Sequence, residues 1–373
     1  MSESTFENDS PSGIGERIAN LGTVTQTVLT VLGVALLIGA AIRLLFPGTR
    51  AATVVGIFDT GFAKATLRTA VPIVFAGLGG IFAEKTGVIN IGLEGLLIIS
   101  AFTAVAVTHI LSGGGSASQT TVWIGFFAGV LASTFLVIIF AVIVIEFKAD
   151  MIIAGLAVWL VALGLGPFLS IVVWGSVNSA SVATINSVTI PVLADNIPVL
   201  GPILFDTNPI VLLMLVTIAL VWYVFRYTTF GRWIEASGEN PSSLDTAGVD
   251  VHRVRYIGVT LSGVLSGIGG AGLAVGRVGR FIGSGQTMIA GDGWIAITTY
   301  LFGNYNPIGT AAAGLLFASL DALQIRLQQI PFVPAPTELI RLVPYVAVIV
   351  VLAFVGYTRM PSQAGEHYEP GEE

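Results

Sequence analysis

Apolar runs of about twenty residues recur along this chain, separated by short polar punctuation. A hydrocarbon core about 30 Å thick takes roughly 20 helical residues to cross, and backbone inside it must satisfy its own hydrogen bonds. Runs of that length confine the chain to helices in a bilayer. Candidate spans fall at 24–46, 65–83, 91–110, 122–145, 151–175, 208–226, 256–276, 287–303, 308–325 and 340–357, about ten in all. The expected fold class is all-α, a polytopic transmembrane helix bundle. Composition agrees: 10% charged against 54% hydrophobic residues cannot clothe a water-facing surface, where an ordinary soluble domain carries roughly 25% charged residues. A soluble enzyme, a nucleic-acid binder and a disordered chain are excluded for the bulk of the sequence. Because the apolar residues come in runs and not in alternation, an outer-membrane barrel is excluded too.

Residues 1–23 are polar and acidic and lack a basic n-region, so the run from Val24 to Phe46 is expected to remain as a first span. A second acidic tail covers 358–373, leaving 24–357 as the membrane domain. The net charge is −6 with only three lysines, Lys64, Lys85 and Lys148; acidic tails with few lysines suit a high-salt cytoplasm. There is no cysteine, and His109, His252 and His367 are far apart, so disulfides, zinc and iron–sulfur ligation are not expected. A phosphate-binding loop needs a Gly-Lys pair, and the chain has none. No cofactor is expected in this chain, and any ATP-driven step must belong to another polypeptide. By count the cations divide eight and eight between the two sides, so the positive-inside rule gives no orientation. Only the concentration of Arg226, Arg232, Arg253 and Arg255 favours an inside position for that loop.

Helix starts are marked by Asp150, Asn208-Pro209 and Asn306-Pro307, each a capping side chain, two of them before a proline suited to the first turn. Three stretches are unlike bilayer filler. The first, Gly77 to Gly95, interrupts two apolar helices with glycines and polar residues; Asn90 and Glu94 share a helix face, with Gly87 nearby. A carboxylate at mid-membrane costs roughly 2.5–3.5 kcal/mol, so Glu94 either completes a packed helix interface or borders a translocation path. The second is the hydrophilic insert 229–255, several times longer than the roughly 2–8 residues a helix–helix connection needs. Pro241 after Asn240 can open a short helix and Gly248 can close it. The acids Glu235, Glu239, Asp245 and Asp250 argue against a lipid-binding face, so the insert is expected to meet a protein partner. The third is the Gly-rich break 276–285 followed by Gly291-Asp292-Gly293-Trp294. In a ten-span chain it falls five spans after the first, on the opposite side. Paired breaks of this kind suggest an inverted repeat of two five-span halves and point at a substrate path; alternatively, Asp292 is a helix-start charge in a simple turn. Between the breaks, Ser262, Gly263, Ser266, Gly267, Gly270 and Ala271 form a small-residue face for close helix packing.

These residues together resemble the permease subunit of ABC importers of the simple-sugar/nucleoside branch, which is related to the branched-chain amino-acid permeases. The likeness spans roughly 66–355 and rests on GLGGIFAEKTGVINIGLEG (77–95), GENP with AGVDVHRVRYIG (238–258), LSGVLSGIGGA (261–271) and GDGWIAITTYLFGNYNPIG (291–309). The NIGLEG form looks closest to the nucleoside type. The resemblance implies that 229–255 is a cytoplasmic coupling segment in which Arg232, Glu235, Gly238, Glu239, Asn240, Pro241, Asp245 and Gly248 engage an ABC ATPase, with ATP and Mg on that partner. It implies both termini in the cytoplasm of a plasma-membrane protein, a second and unlike permease subunit, and an extracellular solute-binding protein. Two positions depart from the pattern: Glu235 stands where a basic residue is expected, and Ser242-Ser243 replace a small apolar pair. The expected mechanism is alternating access by a nucleoside or simple-sugar importer, with Asn90, Gly92, Glu94, Asp292 and Trp294 along the path and Phe82, Trp294 or Tyr300 as stacking partners. A branched-chain amino-acid substrate and an ion-coupled secondary transporter are the rival readings. Secondary transport would leave the long insert without a role. A non-transporting scaffold would leave the paired breaks without one.

Overall fold

A computed structural model describes residue 49, residues 55–189, 191, 196–197, 200–285 and 287–329, residues 342, 346 and 349, and residues 359–369. The chain divides into two compact units, Met1–Asp59 and Thr60–Glu373. The second unit contains the helices α1 (Thr60–Lys85), α2 (Leu93–Leu111), α3 (Gln119–Ile145), α4 (Met151–Trp174), α5 (Leu200–Phe205), α6 (Pro209–Tyr227), α7 (Thr229–Glu239), α8 (Pro241–Thr246), α9 (Val251–Leu273, continued by a π-helical turn to Val278), α10 (Asp292–Phe302) and α11 (Pro307–Gln328). A two-residue antiparallel pair, β1 (Val188–Thr189) with β2 (Asp206–Thr207), closes the loop between α4 and α6.

Seven of these helices (α1–α4, α6, α9 and α11) are long and apolar enough to cross a membrane. The expected span at 24–46 and, save for three residues, that at 340–357 lie outside the described residues. The span expected at 287–303 is corrected: only Asp292–Phe302 is helical, 11 residues, about 16 Å at 1.5 Å per residue. The cause is local backbone. Thr287, Ala290 and Gly291 all adopt positive φ (66°, 51° and 97°), which no helix tolerates. Of the about ten spans expected, the described residues contain seven long helices, and the count of ten is not confirmed.

Local chemistry sets the helix starts. Asp150 accepts from the Ile153 amide at 2.9 Å, Asn208 from Ile210 at 2.9 Å, and Asn306 from Ile308 at 2.9 Å. The extended 178–185 segment lies against the third break, beside Asn208, with the Val182 and Ile185 amides donating to Gly279 and Val275 at 2.7 and 2.8 Å. Beside it Lys64 pairs with Asp206 at 2.7 Å. Its hydrogen bond and charge, with the hydrogen bond from Thr189, hold the exposed Asp206 carboxyl below its ordinary value.

α1 and α9 form the centre, most of their residues buried, while α3, α4 and α6 turn Leu131, Phe135, Ile153, Val172 and Val216 outward as an apolar surface. The small residues of α9 sit where backbones meet. Gly270 lies against Leu97 of α2, so that a Cβ would come 2.3 Å from the Leu97 carbonyl oxygen; Gly263 and Gly267 face Val137 and Val130 of α3. Polar side chains bind across the same crossings: Ser133 Oγ donates to the Gly263 carbonyl at 2.8 Å and Ser100 Oγ to that of Gly267 at 2.6 Å. Ser266 is fully buried there, its Oγ without a hydrogen-bond partner among the described residues.

Overpacking a tight core costs about 1–3 kcal/mol. Gly270→Val should therefore lower the unfolding temperature of the detergent-solubilised protein markedly. Gly164→Ala, where a new Cβ meets nothing within 4 Å, should leave it unchanged.

Candidate functional site

The two Gly-rich breaks converge. After α1 ends at Lys85, residues 86–92 turn back into the bundle. Thr86 packs against Gly258, Asn90 Nδ2 donates to Ser262 Oγ at 3.1 Å, and Ile91 lies against Gly155 of α4. The Asn90 Oδ1 accepts the Gly92 amide at 3.0 Å, an Asx-type turn that launches α2. α10 starts within the bundle as well. It runs beside α1 in the same direction, Ala296 and Thr299 opposite Gly77 and Tyr300 opposite Gly80. Its first residue therefore lies about a turn before Gly77, near the middle of α1.

A helix that begins in a bilayer exposes its first amides to a medium that cannot solvate them. Glu94 solves this. Its carboxylate, 3% exposed, accepts the Gly291 amide at 2.9 Å through Oε1 and the Gly293 amide at 2.7 Å through Oε2. The positive end of the α10 dipole favours the charge. Gly293 has to be glycine, because a Cβ there would lie 2.4 Å from the Glu94 backbone nitrogen. The expected path residues Asn90, Gly92, Glu94, Asp292 and Trp294 are thus brought together. Asp292 is half-buried, within electrostatic reach of Glu94, Asp321 and Arg277. Trp294 meets Trp159 of α4 edge-on, ring centroids 5.4 Å apart. Phe82 and Tyr300 are packed inside the subunit, against Phe225 and Tyr305.

The end of α1 carries a second centre. Glu84 is 4% exposed and accepts the Tyr300 hydroxyl at 2.5 Å and the Tyr305 hydroxyl at 2.6 Å. The neighbouring Lys85 points the other way, to Glu235 of α7 at 2.6 Å, with its ammonium 4.8 Å from the Phe225 ring centre. α7 rests on this end of α1. Ser237 Oγ donates to the Thr86 carbonyl at 3.0 Å, and Gly238 fits so closely that a Cβ would stand 2.4 Å from the Lys85 carbonyl oxygen.

The expected coupling residues form one patch around this seat. Glu235 is half-buried and Gly238 buried, while Arg232, Glu239, Asn240, Asp245 and Gly248 are exposed. Asn240 caps α8 through the Ser243 amide at 3.0 Å, with Pro241 in its first turn. Gly248 closes the segment at φ +80°. Asp250 then caps α9 through the Arg253 amide at 2.9 Å.

Sequence reasoning missed three participants: Glu84 with its two tyrosines, Arg255, and residues 359–369. Arg255 is 3% exposed and donates to the Glu366 carbonyl at 2.9 Å. In that same segment Tyr368 adjoins Asp245, and partial burial with that carboxylate pushes its phenol up from the ordinary value. A charge at the edge of an apolar run, as in Glu84 and Arg255, was the available signal. No cluster of three or more His, Cys, Asp or Glu side chains among the described residues is arranged to hold a metal.

Glu94→Ala leaves two buried amides unpaired, at about 1–3 kcal/mol each. It should lower the unfolding temperature and speed hydrogen exchange at the first amides of α10. Glu94→Gln keeps one acceptor oxygen and should fall between the two.

The family model described as branched-chain amino acid transport system / permease component matches residues 62–352. The nucleoside ABC transporter permease protein NupC of Lactococcus lactis is 36% identical over 302 residues, 80% of this chain and 93% of that protein. The guanosine ABC transporter permease protein NupQ of Bacillus subtilis is 35% identical over 312 residues, 83% and 96% of the two chains. A putative glucose ABC transporter permease protein of Haloferax volcanii is 29% identical over 276 residues, 73% and 79%. No solved structure matches. With a bundle of membrane-crossing helices and a family match over most of its length, this chain belongs to the branched-chain amino acid transport system permease family, whose members are membrane permease components.

Proposed function

We propose that this chain is the permease subunit of an ATP-driven ABC importer of the plasma membrane, carrying a nucleoside or a similar small polar solute. The observation that carries the reading is the seating of α7 on α1, Lys85 to Glu235 and Ser237 to the Thr86 carbonyl. Force applied to the polar insert there reaches the 86–92 turn, and through Glu94 the half-helix α10. The names of two relatives matched over about four fifths of this chain at 36% and 35% identity, a nucleoside and a guanosine permease, favour a nucleoside over a sugar or an amino acid.

In this reading residues 229–255 are the cytoplasmic coupling segment. Arg232, Glu235, Gly238, Glu239, Asn240, Pro241, Asp245 and Gly248 form or support its contact with the ATPase, which holds ATP and Mg. Both tails, 1–23 and 358–373, are cytoplasmic. A second, unlike permease completes the path, and a solute-binding protein delivers solute from outside. Two breaks that each launch a helix within the bundle, at Leu93 and Asp292, support an inverted arrangement of two halves, with Asn90, Gly92, Glu94, Asp292 and Trp294 near the path. Asn90 and Glu94 then act mainly by holding its wall, since their polar atoms already bind Ser262, Gly92 and the α10 amides.

The test is uptake of a labelled nucleoside by proteoliposomes that hold the complete transporter. Uptake should require ATP and survive collapse of the ion gradients. Replacing residues 239–241 by a flexible linker should abolish co-purification of the ATPase and reduce uptake to background. Uptake that persists without the ATPase and collapses with an ion gradient would establish secondary transport instead.

A further inference from the structure

Residues 359–369, expected to be no more than an acidic tail, lie across the seat of α7 and bind several separate elements, among them the α10–α11 turn, where the Arg359 amide donates to Asn304 at 2.8 Å. The Gln363 amide donates to the Gly238 carbonyl of α7 at 2.8 Å, and the Gly365 amide donates to the Gly87 carbonyl of the 86–92 turn at 2.9 Å. Ser362 Oγ donates to Glu239 at 2.7 Å. Arg255 of α9 donates to the Glu366 carbonyl at 2.9 Å, and the Tyr368 ring stands edge-on to His252, centroids 5.9 Å apart. Glu369 pairs with Lys148 in the α3–α4 turn. Gly365 has φ +90°, a conformation that suits glycine.

We propose that residues 359–369 are a brace that joins the α7–α8 segment, the 86–92 turn and the start of α9 into one mechanical unit, so that movement of α7–α8 is delivered to Glu94 and α10. The inference rests on the importer reading above and names its transmission element. Two features carry it. Gln363 and Gly365 are two residues apart on one short segment, one bound to Gly238 and the other to Gly87, so sliding of α7 along the turn must break one of these bonds. The buried guanidinium of Arg255 has no carboxylate partner among the described residues, and its Nε and Nη2 make no hydrogen bond there. A charge so poorly compensated is held in place by the brace carbonyl rather than by an ion pair, which ties α9 to the brace specifically. These are positioning residues: none is placed on the solute path.

The readout is solute moved per ATP hydrolysed by the reconstituted transporter. Gln363→Pro removes the amide that holds Gly238. It should leave the ATPase bound and active while lowering that ratio about fivefold, the factor one lost hydrogen bond commands. Arg255→Gln, a milder change, should lower it in the same direction. A ratio unchanged in both Gln363→Pro and Arg255→Gln overturns the brace. Failure of the unsubstituted transporter to show ATP-dependent uptake instead overturns the importer reading.

Discussion

The structure depends on how a helix can begin inside a bilayer. α10 is half the length a span requires, and its first amides emerge near the middle of α1, where they take a partner from within the protein. A single carboxylate, Glu94, binds two of those amides and places negative charge at the positive end of the helix dipole. The acid and the broken helix each remove the other's cost: an isolated carboxylate at that depth would be expensive, and so would unpaired amides. Because Glu94 is itself in the first turn of α2, the two Gly-rich breaks are fastened to one another. Neither can shift without the other.

That fastening extends to the face of the bundle through two adjacent residues. On a helix, neighbours in sequence point in different directions, so Glu84 and Lys85 serve different elements. Glu84 takes the hydroxyls of Tyr300 and Tyr305, at the far end of α10. Lys85 takes Glu235 in α7. The end of α1 is therefore the joint at which the polar insert and the half-helix meet, and α10 is held at both ends by acids of the first break.

The features legible in the sequence were those written locally. Apolar runs located seven long helices, and the capping residues Asp150, Asn208 and Asn306 located the starts of three of them, because hydropathy and capping act over a few neighbours. The 287–303 region was misread because its composition is apolar enough for a span, whereas its fate is decided by backbone angles at Thr287, Ala290 and Gly291. Of these only the glycine hints at left-handed backbone. Asn90, Glu94 and Asp292 stood out because polar groups in spans are costly. Their partners did not, since the amides that Glu94 binds lie 197 and 199 positions away. Residues 359–369 were unreadable as structure for a related reason: their main contacts are made by backbone amides and carbonyls, which leave no trace in residue type.

Glu235 shows how such a long-range pairing changes the meaning of a residue. Its acid stands where the resemblance drawn from the sequence implies a base, which by itself suggests an altered partner groove. In the structure it answers Lys85 of its own chain, and the Phe225 ring supports the same ammonium. The pair is only partly buried, with side-chain exposures of 18% and 43%, so its contribution is less to stability than to register. Gly238 is covered by α1 and Glu239 is taken by Ser362. Of the eight expected coupling residues, Gly238 and Pro241 are buried and Glu235 is half-buried against their own subunit, while Glu239 is exposed and bound to Ser362. The groups that remain open are Arg232 on the outer side of α7 and Asn240, Ser242, Ser243, Asp245 and Thr246 around α8. Under the importer reading proposed above, these are the groups open to the ATPase, and the buried positions set how rigidly they are presented.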